Sequence, residues 1–146
     1  HNSHMNSDKQ KKISDILQRF NRQTSQIIKI IKMIEKNNID IEWIQRVLRI
    51  LRNENPPLVL EKCIDKFWDN RQKIIERDLD FFTGGNGAYN KFIKEDERKE
   101  WIEGIIDMIK KKQKLLTGEQ RTYIWDRLNN MLQCIIEYRI AVGDFK

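Results

Sequence analysis

The chain has 146 residues, 34% of them charged and 39% apolar, with a formal charge of +6 and a mean hydropathy of −0.72. One domain fits this length, and large, periodic apolar residues argue against disorder despite the charge. His1 and His4 are the only histidines, and His1-Asn2-Ser3-His4 reads as a cloning scar before Met5. The expected organisation is therefore 1–4 scar and 5–146 single helical domain. Without natural histidines, Ser-His and Cys-His catalysis, imidazole acid–base chemistry and most zinc or iron sites are excluded.

Taken in chain order, the first predicted element is a long amphipathic helix running to about Lys36 and capped by Ser7 or Asp8. Ile13, Leu17, Phe20, Thr24, Ile27, Ile31 and Ile34 recur in steps of four and three. That heptad stripe places them on one seam, to be covered by the rest of the chain or by a second copy. Asn37-Asn38 stops this helix. Asp40 opens a second one, with Ile41, Ile44, Val47, Leu48 and Leu51 inward, ending before Pro56-Pro57.

Pro57 suits the first turn of a third helix. Leu60, Cys63, Ile64, Phe67, Ile74, Ile75 and Phe82 continue the helical pattern, with a break at Asp69-Asn70, and Thr83-Gly84-Gly85-Asn86-Gly87 ends it. A fourth helical region begins with Tyr89, Phe92 and Ile93, resumes at Trp101, Ile102, Ile105, Ile106 and Ile109, and closes at Lys110-Lys111-Lys112. Thr117 with Gln120 forms a capping box for a fifth helix. Its stripe is Ile124, Leu128, Met131, Ile135 and Tyr138, and Gly143 ends it. No segment alternates with period two. The reading is an all-α bundle of about five main helices with a long N-terminal amphipathic helix.

Four features are candidates for function. The first is basic: between Met5 and Pro56, 11 Lys and Arg face 6 Asp and Glu. Arg19, Arg22 and Lys29 on the first helix, with Arg46, Arg49 and Arg52 stepping by three along the second, could meet a phosphate backbone. The second is an acidic ladder, Asp96, Glu100, Glu103 and Asp107, read as a solvated ion-pair face. The third is the Gly-rich loop before Lys91, which lacks the Gly-Lys-Ser/Thr of a phosphate-binding loop. The fourth is aromatic. Trp43, Trp68 and Trp125, together with the seam residues Leu17, Phe20, Ile27 and Ile31, are the candidate protein interface.

Ile75-Glu76-Arg77-Asp78 running to Phe81-Phe82, and Tyr123-Ile124-Trp125-Asp126-Arg127-Leu128 after a Gly-Glu-Gln start, resemble segments of uncharacterised small helical proteins of large nucleocytoplasmic DNA viruses. The Ile-, Lys- and Asn-rich composition agrees with an A+T-rich genome. The resemblance implies a viral, intracellular helical protein and transfers no catalytic residue.

The resulting expectation is a non-enzymatic protein–protein interaction or assembly module, with a protein partner or a second copy of itself. The alternative is a nucleic-acid-binding protein using the basic N-terminal helices. No cofactor, metal or catalytic residue is expected. Cys63 and Cys134 are separated and set among apolar residues, so both are expected reduced and buried. No apolar run reaches the ~18 residues of a membrane span. The expected location is intracellular and cytoplasmic (host cytoplasm or virion for a viral protein).

Overall fold

The computed structural model describes residues 2–34, 39–83, 105–106, 109–110 and 112–144. Its elements are α1 (Asn2–Ile34), α2 (Ile39–Glu54), α3 (Leu58–Asp69), α4 (Arg71–Ile75), α5 (Asp80–Thr83), a 3₁₀ turn (Gln113–Leu115) and α6 (Gly118–Val142). The protein is an all-α helical bundle with a long amphipathic N-terminal helix, and no strand occurs among the described residues.

α1 buries Leu17, Phe20, Thr24, Ile27 and Ile31 as the heptad pattern requires, and Ile16 and Ile28 widen the seam. Thr24, the polar residue at its centre, donates its hydroxyl to the Phe20 carbonyl at 3.1 Å, so its burial leaves no donor unpaired. Two expected caps shift. α1 already includes Ser7 and Asp8, because no breaker precedes them, and α2 starts at Ile39, which puts Asp40 in its first turn.

Asn70 breaks the predicted third helix, as its sequence position suggested. Its side-chain amide donates to the Lys66 carbonyl at 2.8 Å and competes with the helical ladder. Ile74 keeps the seven-residue step from Phe67 and is buried, so its neighbour Ile75 is exposed rather than inward. α4 closes with Asp78 N–H on the Lys73 carbonyl (2.8 Å) and Arg77 N–H on Ile74 (3.2 Å). This is the paired-bond ending that demands a left-handed residue, and Arg77 supplies it at φ 58°. Phe81 on α5 is deeply buried, edge-on to Phe67 at 6.0 Å and tilted against Trp125 at 6.4 Å.

The hub is α6, which packs on α1, α3 and α4. Thr117 and Gln120 form the expected reciprocal cap, and Gly143 ends the helix at φ 75°. Its predicted stripe Ile124, Leu128, Met131, Ile135 and Tyr138 is buried, but so are Trp125, Leu132 and Cys134. Three neighbours cover a wider arc than one seam can. α1 runs antiparallel to it: Arg19 meets Glu137, Gln23 meets Asn130 and Gln26 meets Arg127. The Tyr138 hydroxyl donates to Glu61 on α3 at 3.1 Å, and the Asn129 amide donates to the Ile74 carbonyl at the end of α4. Burial and the neighbouring Glu61 push the Tyr138 phenol up to about 12. Ile105, Ile106 and Ile109 join the same core.

The heptad seam is therefore spent inside the chain. Pairing of two α1 helices through Leu17, Phe20, Ile27 and Ile31 would require displacing α6.

Candidate functional site

Side-chain contacts between α1 and α2 set the two helices in antiparallel order. Lys32 Nζ donates to Gln45 Oε1 at 3.3 Å near one end, and Arg52 Nη2 donates to the Asn21 carbonyl at 3.5 Å near the other. Ile28 and Leu48 are buried between these contacts. One residue further along a helix turns the side chain by 100°. In two antiparallel neighbours that step points to the same side of the pair. Arg22 and Lys29 on α1 and Arg46 and Arg49 on α2 consequently share one outer face, and all four are exposed. No ion pair with a described residue engages any of them. Glu42, one turn before Arg46, is the carboxylate on that part of α2.

The other two predicted anion contacts are placed differently. The Arg19 guanidinium is held by carboxylates. Nη1 and Nη2 grip Glu137 at 3.1 and 2.8 Å, and Nε donates to Asp15 at 3.0 Å. The bond from Arg19 holds the Glu137 carboxyl below the usual carboxylate range, although burial opposes it. Arg52 is half-buried between α1 and α3, with Nε unpartnered. Desolvation lowers its pKa, and the nearby Cys63 acts in the opposite direction. Burial pushes the Cys63 thiol far up, so it carries no nucleophilic chemistry.

The aromatic candidates separate in the same way. Trp125 is 7% exposed and belongs to the core. Trp68 is half-buried, with the guanidinium groups of Arg71 and Arg139 over its ring at 4.2 and 5.6 Å. Trp43 is 39% exposed. One heptad on, Ile50 is 54% exposed, and half-buried Val47 sits between them. These three make an apolar strip along the flank of α2 away from α1, bordered on its solvent side by Arg46 and Arg49. Sequence reasoning missed Ile50 because it falls outside the α2 core stripe. The available signal was the seven-residue interval from Trp43.

The acidic ladder Asp96, Glu100, Glu103 and Asp107, the loop before Lys91, Tyr89 and Trp101 lie outside the described residues or have undescribed side chains. Among the described residues no group of three His, Cys, Asp or Glu could hold a metal ion, and no helix is long and apolar enough to cross a membrane. No family model, curated protein or solved structure matches the chain.

Proposed function

We propose that this protein is a non-enzymatic helical interaction module that uses the outer face of α1 and α2 to hold an acidic protein partner. The observation that carries the reading is the Trp43–Val47–Ile50 strip lying directly beside Arg46 and Arg49, which engage no described carboxylate. Tryptophan and arginine are the residues most enriched among interface hot spots. Exposed apolar side chains gain by leaving water on contact, while flanking cations steer an acidic surface and set its register. The partner is protein in this reading because the strip offers apolar surface, for which a phosphate backbone has no complement. An intracellular setting agrees with two buried, unpaired thiols. Kinship with small viral helical proteins rests on the fragments at 75–82 and 123–128.

Photo-crosslinking from position 43 in cells tests the proposal. One defined protein adduct is expected, absent when Arg46→Glu and Arg49→Glu are combined, with the helical circular dichroism unchanged. Adducts to nucleic acid alone, or none above background, would refute it.

A second reading, nucleic-acid binding, is favoured by the alignment of Arg22, Lys29, Arg46 and Arg49 on one face. Affinity for duplex or single-stranded DNA should then fall steeply with salt, and each cation removed should lower the slope of log K against log salt by roughly 0.7–0.9. A salt-independent affinity, or none at low salt, disposes of this reading.

A further inference from the structure

We infer that the cleft between the turn that leads into α5, the 3₁₀ turn and the start of α6 binds a free single-chain carboxylate of the medium-chain fatty-acid type. The cleft has a volume of about 240 Å³ and is walled by Leu79, Ile109, Leu116, Ile124 and Trp125. Its polar contribution comes from Lys114 and Arg121 among the lining residues. Lys114 is exposed on the 3₁₀ turn. Arg121 is exposed too and has contacts of its own, so the ligand's head falls chiefly to Lys114.

Three properties select this occupant. The volume lies below the ~300–1,000 Å³ of ordinary ligand pockets, which suits one aliphatic chain better than a peptide or a nucleoside phosphate. The walls offer an alkyl chain dispersion and desolvation with no hydrogen bond to satisfy. The lysine at the edge then complements one negative head at the end of that chain. A neutral chain would lose the charge contact, and a compact anion such as phosphate would leave the apolar walls empty. Leu79 is exposed at the border, so a chain lying there removes apolar surface that folding leaves in water. This inference is independent of the α1–α2 face.

The test is an NMR titration of the whole chain with octanoate, read at the Trp125 indole N–H, whose resonance is assigned by its loss in Trp125→Phe. Saturable shifts at Trp125 and Ile124 are expected. Hexanoate, two methylenes shorter, should bind about tenfold more weakly. Lys114→Glu should weaken octanoate about fivefold and leave 1-octanol binding unchanged. Leu79→Ser, on the exposed border, should weaken both without unfolding the protein. Equal affinity for octanoate, 1-octanol and octylamine would overturn the charge assignment. Binding of inorganic phosphate at the same resonances, binding only to phosphatidylglycerol vesicles, or no shift with octanoate would each overturn the proposal.

Discussion

The Arg19–Glu137 pair joins α1 to the hub helix, and breaking it should cost measurable stability. Two hydrogen bonds of 2.8 and 3.1 Å form a bidentate fork, and the side chains retain 35% and 28% exposure. Water therefore screens the pair, which rules out the large energies of buried charges. Exposed pairs contribute ~0.2–1 kcal/mol, and a bidentate geometry places this one near the top of that range, about 1 kcal/mol. A double-mutant cycle with Arg19→Met and Glu137→Gln, followed by urea unfolding at pH 7, measures the coupling. Asp15→Asn controls for the second carboxylate on Arg19, whose helical i,i+4 pairing is worth about 0.3–0.5 kcal/mol. The sign of the pH dependence follows from Glu137. Its folded pKa is depressed by the bond from Arg19, so its contribution is present above the unfolded value of about 4.3 and is lost as the pH falls through the lower folded value. The coupling should be full at pH 6–7 and shrink steadily in acid below about pH 4. A coupling indistinguishable from zero at pH 7, or one that grows on acidification, would refute the reasoning. Charge reversal at Arg19 therefore disturbs the fold as well as the surface charge. Reversal at Arg22, Arg46 or Arg49 reads ligand binding more cleanly.

Other expected outcomes concern the helix ends and the thiols. Gly143→Ala should cost about 1 kcal/mol purely from the left-handed backbone, since a Cβ there would meet nothing within 4 Å; an unchanged urea midpoint would contradict this. Arg77→Gly should be about 1 kcal/mol more stable than Arg77→Ala, because both lose the 2.5 Å pair with Asp126 and only glycine relieves φ 58°. Equal stabilities would show that the turn is unstrained. Thr117→Ala removes the capping box of α6 and should lower stability by ~1 kcal/mol in thermal or urea melts. Burial raises both thiols, Cys134 to about 11, so neither should react with a disulfide reagent at pH 8 until the protein unfolds. Rapid labelling of the native protein would contradict their burial.

What was legible in the chain was local. The capping box at Thr117 and Gln120, the left-handed stop at Gly143 and the break at Asn70 each depend on bonds within a few residues, and each stands where the residue types put it. The heptad stripe of α1 was legible for a similar reason, since helical geometry alone decides which side chains share a seam. Two local readings went astray at helix starts. Ser7, Asp8 and Asp40 are good cap residues, but α1 already includes the first two and α2 begins one residue before the third.

The candidate site was only partly legible. Trp43, Trp68 and Trp125 are alike in sequence and differ in fate, one exposed, one under two arginines and one in the core. Arg19 and Arg22 are three positions apart, yet the first is gripped by Glu137, 118 positions away, while the second faces solvent. Spacing along a helix gives the direction in which a side chain leaves the axis. It carries no information about which neighbour waits there. The residue pattern alone thus suffices for an all-α chain, the caps of α6 and the inward seams. The tertiary structure alone settles that α6 is the hub, that the α1 seam is covered within the same chain, and that Arg22, Lys29, Arg46 and Arg49 share one outer face, with Arg46 and Arg49 beside the Trp43–Ile50 strip. Those choices are made by long-range packing, where apolar surface of one helix finds the helix that can exclude water from it.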